Sequence, residues 1–171
     1  QGPLAVWNAY RNGSYPKPDA SVWAGWMDGE SVRLGAYGEP TAAPYEVMHS
    51  LIERARKWTG YTHRWEQLSV TGESPWAQFL MASCDTWDQE FMARMVGWRP
   101  FTSYDEGDEV PSGNFLCPAE REKNPLQCID CGACGGTRFG AVDVYAVSPS
   151  LPRHGGGRNN FRRMLDVVGV S

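Results

Sequence analysis

Apolar and polar positions along the chain change period several times, and each change marks an element. Leu4–Tyr10 predicts a short helix, followed by an irregular arm to about Gly29 that carries Pro16 and Pro18. Ser31–Gly38 alternates as a half-buried strand does, and Gly38-Glu39-Pro40 ends it. Pro44 suits the first turn of a helix. Val47, Leu51, Ile52, Ala55 and Trp58 then recur near helical spacing, and Gly60 is expected to stop that helix. Tyr61–Trp65, aromatic and β-branched, predicts a strand, as does the apolar run Phe79–Ser83. Asp85 or Thr86 suits the cap of a helix whose Trp87, Phe91, Met95 and Val96 form an apolar stripe. Gly97 ends it, and Trp98–Ser103 and Ala141–Val147 predict further strands. A last helix is expected over Asn159–Val168.

Strands and helices that alternate in this order predict an α/β fold with a mainly parallel sheet, either open or a partial β/α barrel. The chain of 171 residues suits a single domain, 1–171. Within it, residues 104–138 read as a cysteine-rich, metal-binding insertion.

Hydrophobic residues make up 42% of the chain and charged ones 21%, which is the balance of a soluble globular protein. No apolar run is long enough to span a membrane, and none has the layout of a secretion signal, so a cytoplasmic location is expected. The chain opens Gln1-Gly2-Pro3 without an initiator Met, which suggests an upstream cut. The net charge of −4 speaks against broad nucleic-acid binding. A local basic patch is still expected at Arg153, His154, Arg158, Arg162 and Arg163, where His154-Gly155-Gly156-Gly157-Arg158 precedes the last helix. Glycines and arginines there suit phosphate contact, against a flexible loop as the plainer reading.

Candidate chemistry concentrates in the cysteines. Of five, Cys84 stands alone, while Cys117, Cys128, Cys131 and Cys134 cluster. Clustered thiols in a cytosolic chain more often hold metal than disulfides. The block Cys128-Ile129-Asp130-Cys131-Gly132-Ala133-Cys134 places three thiols on one tight loop, and Cys117-Pro118 offers a remote fourth. Such a C-x2-C-x2-C loop can give each of three irons of a [4Fe–4S] cluster a thiolate. Gly132, Gly135 and Gly136 let backbone N–H groups approach the sulfurs. Zn2+ is the alternative ion, although structural zinc is usually held by two separated knuckles. Radical enzymes that use S-adenosylmethionine leave one iron open and usually space three cysteines C-x3-C-x2-C. Here Cys117 offers to close that position, which suits electron transfer or structural pinning.

GPLAVW (Gly2–Trp7), VRLGAYGEP (Val32–Pro40), TGYTHRW (Thr59–Trp65), MASCD (Met81–Asp85) and the cysteine block together resemble a family of uncharacterised proteins from bacteriophages and other mobile elements. Some members carry the label "rolling-circle replication-associated". The resemblance covers nearly the whole chain. It implies a phage origin, action in the bacterial host cytoplasm, and a further cysteine-bearing segment ahead of Gln1. It supplies no established activity.

Three other groups carry expectations. Glu39, His63 and Asp85 fall near the ends of predicted strands, where α/β folds bind ligands. They suggest a polar cleft with His63 as acid, base or ligand; the plainer reading is that they cap helices. Cys84 reads as a buried, inert thiol. The function classes that follow are an iron–sulfur protein of redox or structural role with an unidentified redox partner, a radical-enzyme-like enzyme on a partial barrel, and a zinc-stapled, nucleic-acid-associated replication accessory. No residue can be assigned a catalytic role from the sequence.

Overall fold

The computed structural model describes residues 3–14, 20–36, 38–70, 72–120, 126–139 and 143–148. The elements that build the sheet and its cover are β1 (Ser31–Leu34), α3 (Tyr45–Arg54), β2 (Lys57–Thr62), α4 (Trp65–Leu68), β3 (Met81–Cys84), α5 (Trp87–Met95) and β4 (Pro100–Asp105). They are followed by β5 (Phe115–Leu116), α6 (Cys128–Cys131) and β6 (Val144–Ser148). Ahead of them stand α1 (Pro3–Arg11) and α2 (Ala20–Met27). The predicted final helix and the C-terminal arginines lie outside the described residues.

Every strand pair is parallel, in the order β1-β2-β3-β4-β6-β5. The fold is α/β, and the sheet is open and curled into a half-barrel. The first four strands neighbour one another in chain order, as short helical crossovers dictate. The order changes after β4, where the long insertion delivers β5 to the far edge before β6 fills the gap.

Strand alternation divides the core between two faces. On the outer face Leu34, Trp58, Leu80, Ala82 and Cys84 pack with Ile52 of α3 and Ala93 of α5. On the inner face Met81 and Val144 pack with Tyr61 and Phe101, and here the covering layer is the cysteine segment itself, through Cys134, Cys117 and Ala133. Cysteine side chains therefore occupy the place of an ordinary apolar layer.

Several predicted boundaries move. The helix expected to run to Gly60 ends at Arg54, and Trp58 and Gly60 lie inside β2. Gly60 is required there by packing: a Cβ would stand 2.6 Å from Leu80 Cδ2 and 2.9 Å from Leu34 Cβ. The strand read at Tyr61–Trp65 is thus the second half of a longer one, and Trp65 opens α4. Helix α2 forms where an irregular arm was expected. In α5 the apolar stripe faces outward at Trp87, Phe91 and Met95, and the fully buried side chains are Glu90 and Ala93.

Glu90 is satisfied where it is buried. Tyr104 Oη donates to its carboxylate, as do Arg94 and, at 2.8 Å, Asn114 Nδ2. Arg94 also bonds Asp143 and Asn114 Oδ1, so one buried carboxylate ties α5 to β4 and to the start of the insertion. Burial pushes the Glu90 carboxyl up, but hydrogen bonds from Asn114 and Tyr104 and the Arg94 charge outweigh it and hold the group below the usual carboxylate range.

Candidate metal centre

The cysteine segment is held in place by hydrogen bonds from β2 and its surroundings. Gly60 N–H donates to the Cys134 carbonyl at 3.2 Å, and Lys57 Nζ donates to the Asp130 carbonyl at 2.6 Å. Trp58 Nε1 donates to both Phe79 O and Gly135 O, each at 3.1 Å, linking the outer core to the end of the loop. Arg138 stacks over the Trp58 ring, 5.7 Å from its centroid, and Arg99 Nη1 donates to the Gly136 carbonyl. From the other side, Cys117 N–H donates to Tyr145 O of β6 at 2.7 Å.

Local geometry follows from the glycines. The short helix α6 ends at Gly132, which takes the left-handed conformation at φ +66, and the side chain of Lys57 lies beneath it. Gly136 is likewise left-handed at φ +71 and touches the backbone of Ala77 and Gln78. The loop can therefore turn tightly around its thiols and still lie flat against the protein.

All four clustered cysteines line one small pocket, together with Thr59, Tyr61, Pro118 and Leu126. Cys134 is buried and the other three are half-buried. Burial pushes the Cys134 thiol up to about 11; the Tyr61 hydroxyl donates to its sulfur and opposes that rise, while Cys117, Cys131 and Cys128 reinforce it. Burial also raises Cys117, against a hydrogen bond from the Ala119 backbone, and Cys128 and Cys131 add to the rise. The four sulfurs thus sit within electrostatic reach of one another. Their thiolates repel, and a multivalent cation among them removes that penalty. Buried Arg99 adds a positive charge close to Cys134. Among the described residues, no three His, Cys, Asp or Glu side chains converge as the ligands of a single ion.

The other sequence candidates are dispersed. Glu39 caps a short turn, accepting from Thr41 N at 3.1 Å and Thr41 Oγ1 at 2.9 Å. His63 is exposed just past β2, and Asp85 is exposed with its N–H bonded to Gln89 Oε1. The expected cap of α5 is Thr86, whose hydroxyl accepts from Gln89 N–H. The cysteine cavity includes none of Glu39, His63 and Asp85, and lies against Thr59 and Tyr61 within β2 instead of beyond the strand ends. Cys84 is buried on the outer face, where burial and Glu90 push its thiol far up. Sequence reasoning missed Tyr61, Thr59, Lys57 and Arg99, because their role depends on strand register and on where a distant loop lands.

The chain matches no family model, no curated protein and no solved structure. No helix among the described residues is long and apolar enough to cross a membrane.

Proposed function

We propose that this protein carries one [4Fe–4S] cluster on Cys117, Cys128, Cys131 and Cys134, in a redox or structural role. The observation that carries the reading is that four thiols from two separated parts of the insertion ring one cavity. A zinc ion draws four sulfurs to about 2.3 Å from one point. Three thiols on one short loop with a remote fourth suit a cluster, which takes one thiolate on each iron. When bound, such a cluster supplies one-electron transfer at a potential set by hydrogen bonds and burial. The chain's own part is to donate to the sulfurs from Tyr61 Oη and the Ala119 backbone and to keep the inner face dry with Met81, Val144 and Phe101. The resemblance to phage and mobile-element proteins supports action in a host cytoplasm, with an unidentified redox partner.

Anaerobic purification with iron, sulfide and zinc analysis tests this, alongside a visible spectrum before and after dithionite. About four irons with matching sulfide per chain support the cluster. One zinc and no colour replace it with a zinc-stapled domain.

A second reading, an enzyme on a partial barrel akin in architecture to radical enzymes, is favoured by the all-parallel half-barrel. An open iron site, seen as a change in the cluster's spectrum on adding S-adenosylmethionine, would support it.

A further inference from the structure

A second cavity adjoins the cysteine site, sharing Thr59 and Cys128 with it. It offers about 300 Å³, at the lower end of the usual size of a small-molecule pocket. Its wall is β1 and the start of β2 on one side and Gln127 and Cys128 on the other.

The chemistry of that wall is one-sided. Arg33 and Lys57 line it, Lys57 with its Nζ donating to the Asp130 carbonyl at 2.6 Å, and Arg56 Nη2 bonds the lining residue Ser31 through its Oγ at 3.2 Å. No carboxylate among the described residues lines it. Among the described residues, the ion pairs involve neither Arg33 nor Lys57. Two cations in one cavity wall run against the net charge of −4 of the whole chain. Hydroxyls of Ser31 and Thr59 and the Gln127 amide add neutral hydrogen-bonding groups. An oxyanion is what such a wall recognises: the guanidinium fork of Arg33 pairs with two oxygens, and Lys57 adds a point charge.

We infer that the cavity between β1, β2 and the cysteine loop is a binding site for a small oxyanion-bearing ligand, a phosphate or a carboxylate, seated on Arg33 beside the thiolate centre. The inference stands on the cavity and its cations, and does not rest on which metal the thiols hold.

The test is calorimetric titration of the full chain at low salt with pyrophosphate and, separately, succinate, with metal content measured on the same samples. The wild type should bind at least one of them saturably, and Arg33→Gln should weaken that binding by about tenfold, the loss of one charge-assisted contact. Arg33 is exposed and outside the cysteine contacts, so this variant should fold and keep its metal. Arg11→Gln, on exposed α1, serves as the remote control. Pyrophosphate alone binding would assign a phosphoryl ligand, and succinate alone a carboxylate. Saturable binding by neither anion overturns the inference. So does an equal loss in Arg11→Gln, which would mark diffuse surface charge. Arg33-dependent binding by a sample that holds no metal would support the pocket while refuting the cluster.

Discussion

Replacing Gly136 by alanine should loosen the end of the cysteine loop, and the structure separates the cost into two parts. At φ +71 an L side chain is strained by about 1–2 kcal/mol. The new Cβ would also stand 2.6 Å from Ala77 O and 2.6 Å from the Gln78 carbonyl carbon and oxygen. Those atoms are backbone of the turn Pro75–Gln78 and cannot swing aside as a side-chain tip would. Overpacking of this kind costs about 1–3 kcal/mol, so the total is about 2–5 kcal/mol. Gly97→Ala isolates the first part, because Gly97 has φ +84 and its Cβ would meet only Glu73 Cγ at an ordinary 3.7 Å. Urea unfolding of wild type and both variants, on matched metal-loaded samples, is the assay. With a slope of about 2 kcal/mol per molar, Gly136→Ala should lower the midpoint by about 1–2.5 M and Gly97→Ala by about 0.5–1 M. Equal shifts for the two variants would refute the argument, since the backbone clash would then contribute nothing.

Glu90→Gln should destabilise the protein at neutral pH by about 1.5–3 kcal/mol, the range for a charge-assisted hydrogen bond. The pH dependence follows from the depressed carboxyl: its contribution is present above the unfolded value of about 4.3 and is lost as pH falls through the lower folded value. Urea midpoints of wild type and variant should therefore converge on acidification, and a constant gap from pH 7 to pH 3 would count against the network. Thr86→Ala removes the cap of α5 and should cost about 1 kcal/mol by the same assay, with no loss of bound metal. Tyr61→Phe removes the hydroxyl that donates to Cys134, so in an iron-loaded protein the reduction potential should fall. An unchanged potential in a spectroelectrochemical titration would show that this hydrogen bond does not reach the cluster.

The α/β class and the parallel sheet were legible in the sequence because they depend on local periodicity. Alternating strands separated by helical stripes leave few ways to bury both kinds of element. The cysteine spacing was legible for the same reason: C-x2-C-x2-C is a property of one short loop. Boundaries failed where packing overrules local preference. Gly60 reads as a helix stop, yet it serves a strand because Leu34 and Leu80 leave no room for a side chain. The α5 stripe reads as core, yet Trp87 and Phe91 stack on each other in solvent at 5.9 Å, while Glu90 is buried by partners as far along the chain as Asn114.

By itself the sequence determined the spacing of the clustered cysteines, four thiols of which three lie within seven residues, and the element types around them. Only the tertiary structure decided where those thiols face and what surrounds them. The loop is held to β2 by hydrogen bonds from Gly60, Lys57 and Trp58, which lie more than seventy residues away in sequence. That placement brings Tyr61 to one sulfur, Arg99 near the same thiol, and Arg33 and Lys57 to the neighbouring cavity. Local spacing cannot encode such juxtapositions, because they arise from strand register and from the closure of a long loop across the sheet.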